Sequence, residues 1–339
     1  MKTKIAINGF GRIGRAFFRT AKDSPELEIV AINDIGDIDN IAYLLKYDSV
    51  YGKLNEEVSV KSGKLKVGNR EITFLNEKDP AKLPWKDLNV DIVVESTGVF
   101  TDYKKANAHR DAGAKRVVIS SPVNADAPEG IDGATVLMGV NEDRLATCDI
   151  SSNASCTTNS ASPVMQIMEE TLDVEKALLD TIHGYTASQE LVDSPSRKDV
   201  RRGRAAAQNI IPSSTGAATS VTKAVKGIPF FDGIAVRVPV ITGSYADLTF
   251  VTKKSTTAEE VNDILRKAAK EDRWKGVFTV TEEPLVSTDI IGNPHASIAD
   301  LTFTRVADGN LVKVLSWYDN EAGYANSLLR HVITTASHL

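Results

Sequence analysis

Residues 4–34 constrain the fold more tightly than any other stretch. Lys4-Ile5-Ala6-Ile7-Asn8 is an apolar run of strand length, and Gly9-Phe10-Gly11-Arg12-Ile13-Gly14 reads G-x-G-x-x-G. A helical pattern follows at Ile13, Ala16, Phe17, Thr20 and Ala21 and stops before Pro25. A second strand, Leu27–Ile32, ends near Asp34, 20 residues beyond Gly14. Alone, the glycine motif says little. Set between a strand and a helix, with an acid at that distance, it specifies a βαβ unit whose glycines let the backbone approach a pyrophosphate at a helix N-terminus. Asp34 would then accept hydrogen bonds from an adenosine ribose. The alternative is a glycine-rich turn that closes a βαβ unit without a ligand.

Further strands continue the pattern. Asp91–Glu95 leads into Ser96-Thr97-Gly98, and Arg116–Ile119 leads into Ser120, with a helix expected between them over 106–114. Strands alternating with helices predict a parallel, doubly wound sheet of the Rossmann type, with ligands at the strand carboxyl ends. Asp34, Ser96, Thr97 and Ser120 all fall there. Residues 124–133, with their Pro and Asp residues, read as a loop.

The second half is organised around Ser152-Asn153-Ala154-Ser155-Cys156-Thr157-Thr158-Asn159. Cys148–Ser151 reads as a short buried strand before it, and apolar residues at helical spacing follow it. Cys156 therefore sits where a strand turns into a helix, among residue types that cap helices. The partial positive charge of a helix start favours thiolate over thiol. A buried structural cysteine in a capping turn is the other reading, and a base elsewhere must decide. Leu178–His183 reads as a strand that delivers His183, the obvious candidate. Residues 186–209 form a long basic loop with Arg197, Lys198, Arg201, Arg202 and Arg204, either solvated or carrying one arginine aimed at an anion. Ile210–Ala218 offers a second anion-ready helix start. Arg237 stands within an apolar strand, as an edge-face solvated residue or an anion ligand. Strands at 244–251 and 311–318, helices over 257–270 and after Glu321, and the grouping of alternating strands predict an α+β domain with a mixed or antiparallel sheet.

A chain of 339 residues suits two domains. The expected division is a nucleotide-binding domain over 1–152, completed by the C-terminal helix at about 320–339, and a catalytic domain over 153–319. A net charge of −5 gives no expectation of nucleic acid or anionic lipid as partner. No signal peptide or membrane span is read. Two cysteines cannot build a disulfide framework, which implies a reducing, cytoplasmic setting. The five histidines show no metal-ligand spacing, and no metal site is expected.

Over nearly its whole length the chain resembles the phosphorylating glyceraldehyde-3-phosphate dehydrogenases. The resemblance is carried by INGFGRIGR (7–15), LLKYDSVYG (44–52), VESTGVFT (94–101), SNASCTTN (152–159), RGRAAAQNIIPSSTGAA (202–218), RVP (237–239) and SWYDNEAGYANSL (316–328). It implies NAD as hydride acceptor, a homotetramer, and oxidation of glyceraldehyde 3-phosphate to 1,3-bisphosphoglycerate with inorganic phosphate, a step of glycolysis and gluconeogenesis. It implies Cys156 as nucleophile and His183 as base. Ser155, Thr157, Thr215 and Gly216 match the site for inorganic phosphate. Thr186 and Arg237 match the site for the substrate's own phosphate, with Arg202 close to both. Gly9 to Gly14, Asp34, Ser96, Thr97, Gly98, Ser120, Asn320 and Tyr324 match cofactor contacts. The loop from Thr186 matches one that reaches a neighbouring subunit's cofactor.

The departures from that pattern are Ser160 where a second cysteine is usual, Ser188 before Gln189, a longer 124–130 segment, and 240–244 after RVP. Three other activities compete: a sister dehydrogenase acting on erythrose 4-phosphate, a cysteine hydrolase or acyltransferase, and a non-enzymatic NAD sensor. A hydrolase has no need of a hydride acceptor, and a sensor no use for a thiol, a base and two anion sites together.

Overall fold

The computed structural model describes residues 2–196 and 199–339. These form two compact units: residues through Val136 with Glu142–Ala154 and Leu328–Leu339, and Leu137–Asn141 with Ser155–Ser327.

The first unit is built on β1 (Thr3–Asn8), α1 (Arg12–Ala21), β2 (Leu27–Asn33), α2 (Ile38–Lys46), β3 (Val58–Lys61), β4 (Lys64–Val67), β5 (Arg70–Leu75), β6 (Ile92–Glu95), α3 (Tyr103–Ala106), α4 (Ala108–Asp111), β7 (Arg116–Ile119), β8 (Gly133–Thr135) and β9 (Ile150–Ser152). The sheet order is β3-β4-β5-β2-β1-β6-β7-β9-β8. From β5 to β8 all neighbours are parallel, and β3, β4 and β5 pair antiparallel at one edge. Parallel strands covered on both faces need continuous apolar sequence, and Ile5–Ile7 and Ile92–Val94 are fully buried. On α1, Phe17 and Phe18 are fully buried; each ring contributes about 2–3 kcal/mol of transfer free energy. Because β2 lies on one side of β1 and β6 on the other, the winding reverses at β1. That reversal opens a crevice at the carboxyl ends of β1 and β6.

The second unit contains α5 (Cys156–Leu172), β10 (Val174–Gly184), β11 (Ile211–Ser214), α6 (Ala217–Ala224), β12 (Phe231–Val238), β13 (Ser244–Thr252), α7 (Ala258–Ala268), β14 (Phe278–Thr281), β15 (Ser297–Ala307) and β16 (Leu311–Tyr318). The last helix, α8 (Ala322–Ala336), begins here and passes into the first unit at Leu328. The sheet order is β11-β12-β10-β13-β16-β15-β14, mixed as expected, with β10 parallel to β12 and antiparallel to β13. The buried helix α5 packs against β13, β15 and β16.

The structure departs from the sequence reading in several places. The antiparallel edge, α2, β8, β14 and β15 were not anticipated. The helix expected over 106–114 starts earlier, at Tyr103, because Asp102 accepts the Lys105 N–H and caps it, and it is broken at Asn107. It ends at Gly113, whose φ of 110° suits a residue without Cβ. The long loop holds a short 3₁₀ turn at Val200–Gly203. Arg197 and Lys198, read as part of its basic run, lie outside the described residues. No helix among the described residues is long and apolar enough to cross a membrane, and none of them form a cluster able to hold a metal ion.

Candidate functional site

In the first unit the three motif glycines have three distinct reasons. Gly9 has φ 90°, and a Cβ there would lie 2.6 Å from the Thr97 backbone nitrogen. A Cβ on Gly14 would lie 2.2 Å from the Gly9 carbonyl oxygen, so this glycine lets α1 sit against the turn. A Cβ on Gly11 would meet nothing within 4 Å. That position faces open space at the N-terminus of α1, where no side chain caps the helix. A ligand can therefore approach the backbone at this helix start. The crevice beside it, about 380 Å³, is lined by Gly9, Gly11, Asp34, Ser96, Thr97 and Val99 among others.

The Asp34 carboxylate accepts the Phe10 N–H at 2.6 Å and the Gly36 N–H at 2.8 Å. The acid thus builds the glycine turn as well as facing the crevice. Phe10 itself serves the turn: its ring is fully buried edge-on against Phe18, and Arg15 Nη1 donates to its carbonyl. Arg12 is held by Asp48 at 2.6 Å, Ile13 is half-buried on α1, Gly98 takes a left-handed turn at φ 70°, and the Ser120 hydroxyl donates to that of Ser96 at 3.1 Å. Asn320 and Tyr324 belong to the second unit. The Asn320 carbonyl oxygen accepts the Gly243 N–H at 3.0 Å, and Tyr324 is buried.

In the second unit Cys156 is the first residue of α5, and the Ser155 hydroxyl caps that helix by accepting the Thr158 N–H. The turn before it is strained: Ala154 is held at φ 53°, a left-handed value for a residue with Cβ. His183 lies near the end of β10, in one cross-strand row with Arg237 of β12, Ser244 of β13 and, one strand further, Tyr318 of β16. Its Nε2 is 3.3 Å from the Cys156 Sγ. Its Nδ1 lies 2.6 Å from the Gly184 carbonyl oxygen and 2.5 Å from Arg237 Nη1. These two contacts need opposite tautomers. A proton on Nδ1 is donated to Gly184 and leaves the Nε2 lone pair facing sulfur, whereas the arginine N–H requires a lone pair on Nδ1. Charging His183 therefore requires Arg237 to turn away from it.

Sequence reasoning missed the group beneath this pair. The Tyr318 hydroxyl sits 2.8 Å from both the Thr157 and the Thr181 hydroxyls, and its ring meets His183 edge-on at 5.8 Å between centroids. Only the β13 bridge between β10 and β16 brings Tyr318 there, so no local signal marked it.

Burial pushes the Cys156 thiol up, against the Arg237 charge and the Thr157 N–H, which pull it down. Burial and then the Arg237 charge hold His183 down at about 3. Enclosure at Cys156 thus opposes the pull toward thiolate that a helix start exerts. Arg237 is itself lowered, by burial and by Arg202 nearby, while the Cys156 and Tyr318 charges raise it. The Nε atoms of both arginines are buried without a protein partner among the described residues. Two neighbouring guanidiniums with unsatisfied donors could hold an anion.

Arg202 also reaches the Ser214 carbonyl at 3.4 Å, next to Thr215 and Gly216, the N-cap of α6. Thr215 caps locally by accepting the Ala217 N–H at 3.2 Å. Thr186, two residues past β10, has its hydroxyl 2.9 Å from that of Ser188 and bonds to Gln189.

A nucleotide crevice at a sheet reversal and a thiol–imidazole pair beside an anion cradle define a nucleotide-dependent enzyme of the thiol type. Residues 3–103 match the family model for "Glyceraldehyde 3-phosphate dehydrogenase, NAD binding domain", and residues 155–320 match its C-terminal domain. The chain is 47% identical over 332 residues to glyceraldehyde-3-phosphate dehydrogenase 1 of Bacillus subtilis, covering 97% of each chain. It is 46% identical over 333 residues to enzyme 1 of Streptomyces avermitilis and 44% identical over 331 residues to enzyme B of Aspergillus oryzae, again with 97% of each covered. The chain belongs to the glyceraldehyde 3-phosphate dehydrogenase family.

Proposed function

We propose that the chain oxidises D-glyceraldehyde 3-phosphate to 1,3-bisphosphoglycerate, with NAD and inorganic phosphate, through a thioester on Cys156. The observation that carries this reading is Cys156 at a capped helix start, 3.3 Å from His183 Nε2, with Arg237 and Arg202 beside it. NAD, when bound, supplies the hydride acceptor. The open Gly11 side of the α1 start, with the Asp34 carboxylate, suits its pyrophosphate and ribose.

The substrate phosphate engages Arg237 and draws it from Nδ1, which frees His183 to accept the Cys156 proton at Nε2. Sulfur then bonds to the aldehyde carbon, the N–H groups of the α5 start stabilise charge on the carbonyl oxygen, and His183 returns the proton to that oxygen to give the hemithioacetal. As the hemithioacetal carbon gives up hydride, its hydroxyl proton passes to His183 and the carbonyl re-forms as a thioester. An oxygen of inorganic phosphate, held near Arg202, Thr215 and Gly216, attacks that carbonyl. The C–S bond breaks, and protonated His183 returns its proton to the thiolate. The test is absorbance of reduced nicotinamide with each of glyceraldehyde 3-phosphate and erythrose 4-phosphate, with and without phosphate. Formation that needs both phosphate and the three-carbon aldehyde supports the assignment; equal use of the four-carbon sugar would assign the sister activity.

NAD is expected to be preferred over NADP, because Asp34 would accept the ribose 2′-hydroxyl and repel a 2′-phosphate. Ser194-Pro195 in the long loop also bears on that choice, the serine being permissive for a phosphate. Asp34→Ala should weaken NAD by about 1–3 kcal/mol, since it also releases the Phe10 and Gly36 N–H groups, and should improve NADP. The check is kcat/KM for both cofactors in both proteins.

A homotetramer is supported by one bare face of the second sheet. There Leu178 of β10 and Ile234 of β12 are 64% and 54% exposed, with Phe230 71% exposed just before β12, an apolar surface suited to pairing with another subunit. Leu178→Lys combined with Ile234→Lys is expected to shift the particle from four subunits to fewer, as read by sedimentation velocity. Two free thiols accord with a cytoplasmic setting.

A further inference from the structure

Behind the crevice of the first unit runs a buried polar chain that none of the chemistry above uses. Trp85, Glu95 and His109 are at most 2% exposed, and none of them lines the crevice. The Trp85 indole N–H donates to His109 Nδ1 at 3.0 Å. That bond places the imidazole proton on Nε2, which donates to Glu95 Oε2 at 3.0 Å. The same oxygen accepts the Asn8 amide at 2.6 Å. The other oxygen, Oε1, accepts both the N–H and the hydroxyl of Thr97. All four acceptor positions of one buried carboxylate are thereby filled, and two of the donors belong to Thr97, which lines the crevice. From Asn8 the chain continues: its oxygen accepts the Asn33 amide at 2.7 Å, and Asn33 exchanges two bonds with the Glu77 backbone. Asn8, Asn33 and Glu77 also line the crevice.

We propose that Glu95, oriented by the Trp85–His109 pair, is a positioning residue for the cofactor. Its carboxylate fixes the Ser96–Gly98 turn and the Asn8 amide in the geometry that receives the dinucleotide. The turn has no slack, because the Gly9 Cα passes so close to Thr97 that even a Cβ is excluded. A glutamine cannot take over the role. Either end of its amide would place an NH₂ against donors, Thr97 on one side, Asn8 and His109 on the other. His109 cannot accept instead without giving up Trp85.

The proposal rests on NAD as the cofactor, so NAD affinity of the wild type is measured first, by calorimetry. Glu95→Gln is expected to weaken NAD roughly tenfold, the scale of a lost hydrogen bond to a charged group, with kcat at saturating NAD within about twofold. Trp85→Phe, which releases the His109 tautomer, is expected to weaken NAD roughly threefold. It serves as the test should Glu95→Gln fail to fold. A wild type that does not bind NAD would overturn the cofactor reading and this proposal with it. A folded Glu95→Gln, or failing that a folded Trp85→Phe, with lowered Tm but wild-type NAD affinity would overturn this proposal alone and leave the network a stabilising one.

Discussion

Cys156→Ser is expected to lower kcat by roughly 10⁴-fold or more, the scale on which loss of a covalent nucleophile acts, while the circular dichroism spectrum and Tm stay close to the wild type. The substitution is nearly isosteric and keeps the α5 start and its Ser155 cap. It replaces a thiol that His183 can deprotonate with an alcohol that ionises far less readily and is a weaker nucleophile here. Alkylation by iodoacetamide provides the companion measurement. Cys148 is 2% exposed. Cys156 retains surface and a base at 3.3 Å. Label should therefore appear first on the Cys156 peptide. Label on Cys148, with Cys156→Ser still active, would remove the thioester from the account.

Arg237→Leu is expected to raise KM for the phosphorylated aldehyde roughly ten- to hundredfold, the equivalent of about 1.5–3 kcal/mol for a charge-assisted contact. KM for unphosphorylated glyceraldehyde should change far less. The contrast separates two roles that the structure brings together on one side chain, since Arg237 both faces Arg202 and touches His183 Nδ1. If it served only to orient the imidazole, both aldehydes would suffer alike, and mainly in kcat.

The parts of this picture that were legible in the sequence are those in which a local pattern has one physical meaning. The strand, glycine turn, helix and strand of residues 4–34 impose a parallel sheet, and the structure has one. The step from strand to helix at Cys156 and the strand ending at His183 were also local. Relations between distant residues were not. Tyr318 reaches the Thr157 hydroxyl across 161 positions of sequence, and Asn8 reaches Glu95 across 87. Each such contact depends on strand order, which residue spacing does not reveal. The antiparallel β3–β5 edge was missed because Val58–Leu75 alternates charged and apolar residues, a weak signal in a chain otherwise read for buried parallel strands. The electrostatics of Cys156 are divided for a related reason. The helix start is visible in sequence, but the burial that opposes it depends on the fold.

The measurement that tests the central claim most directly is the mass of the Cys156 peptide after single-turnover mixing. The wild-type protein, NAD and glyceraldehyde 3-phosphate are mixed without inorganic phosphate and quenched in acid. The account predicts a phosphoglyceroyl adduct on Cys156, formed in step with one equivalent of reduced nicotinamide and discharged when inorganic phosphate is added before the quench. Reduced nicotinamide appearing in full with no adduct on that peptide would contradict it.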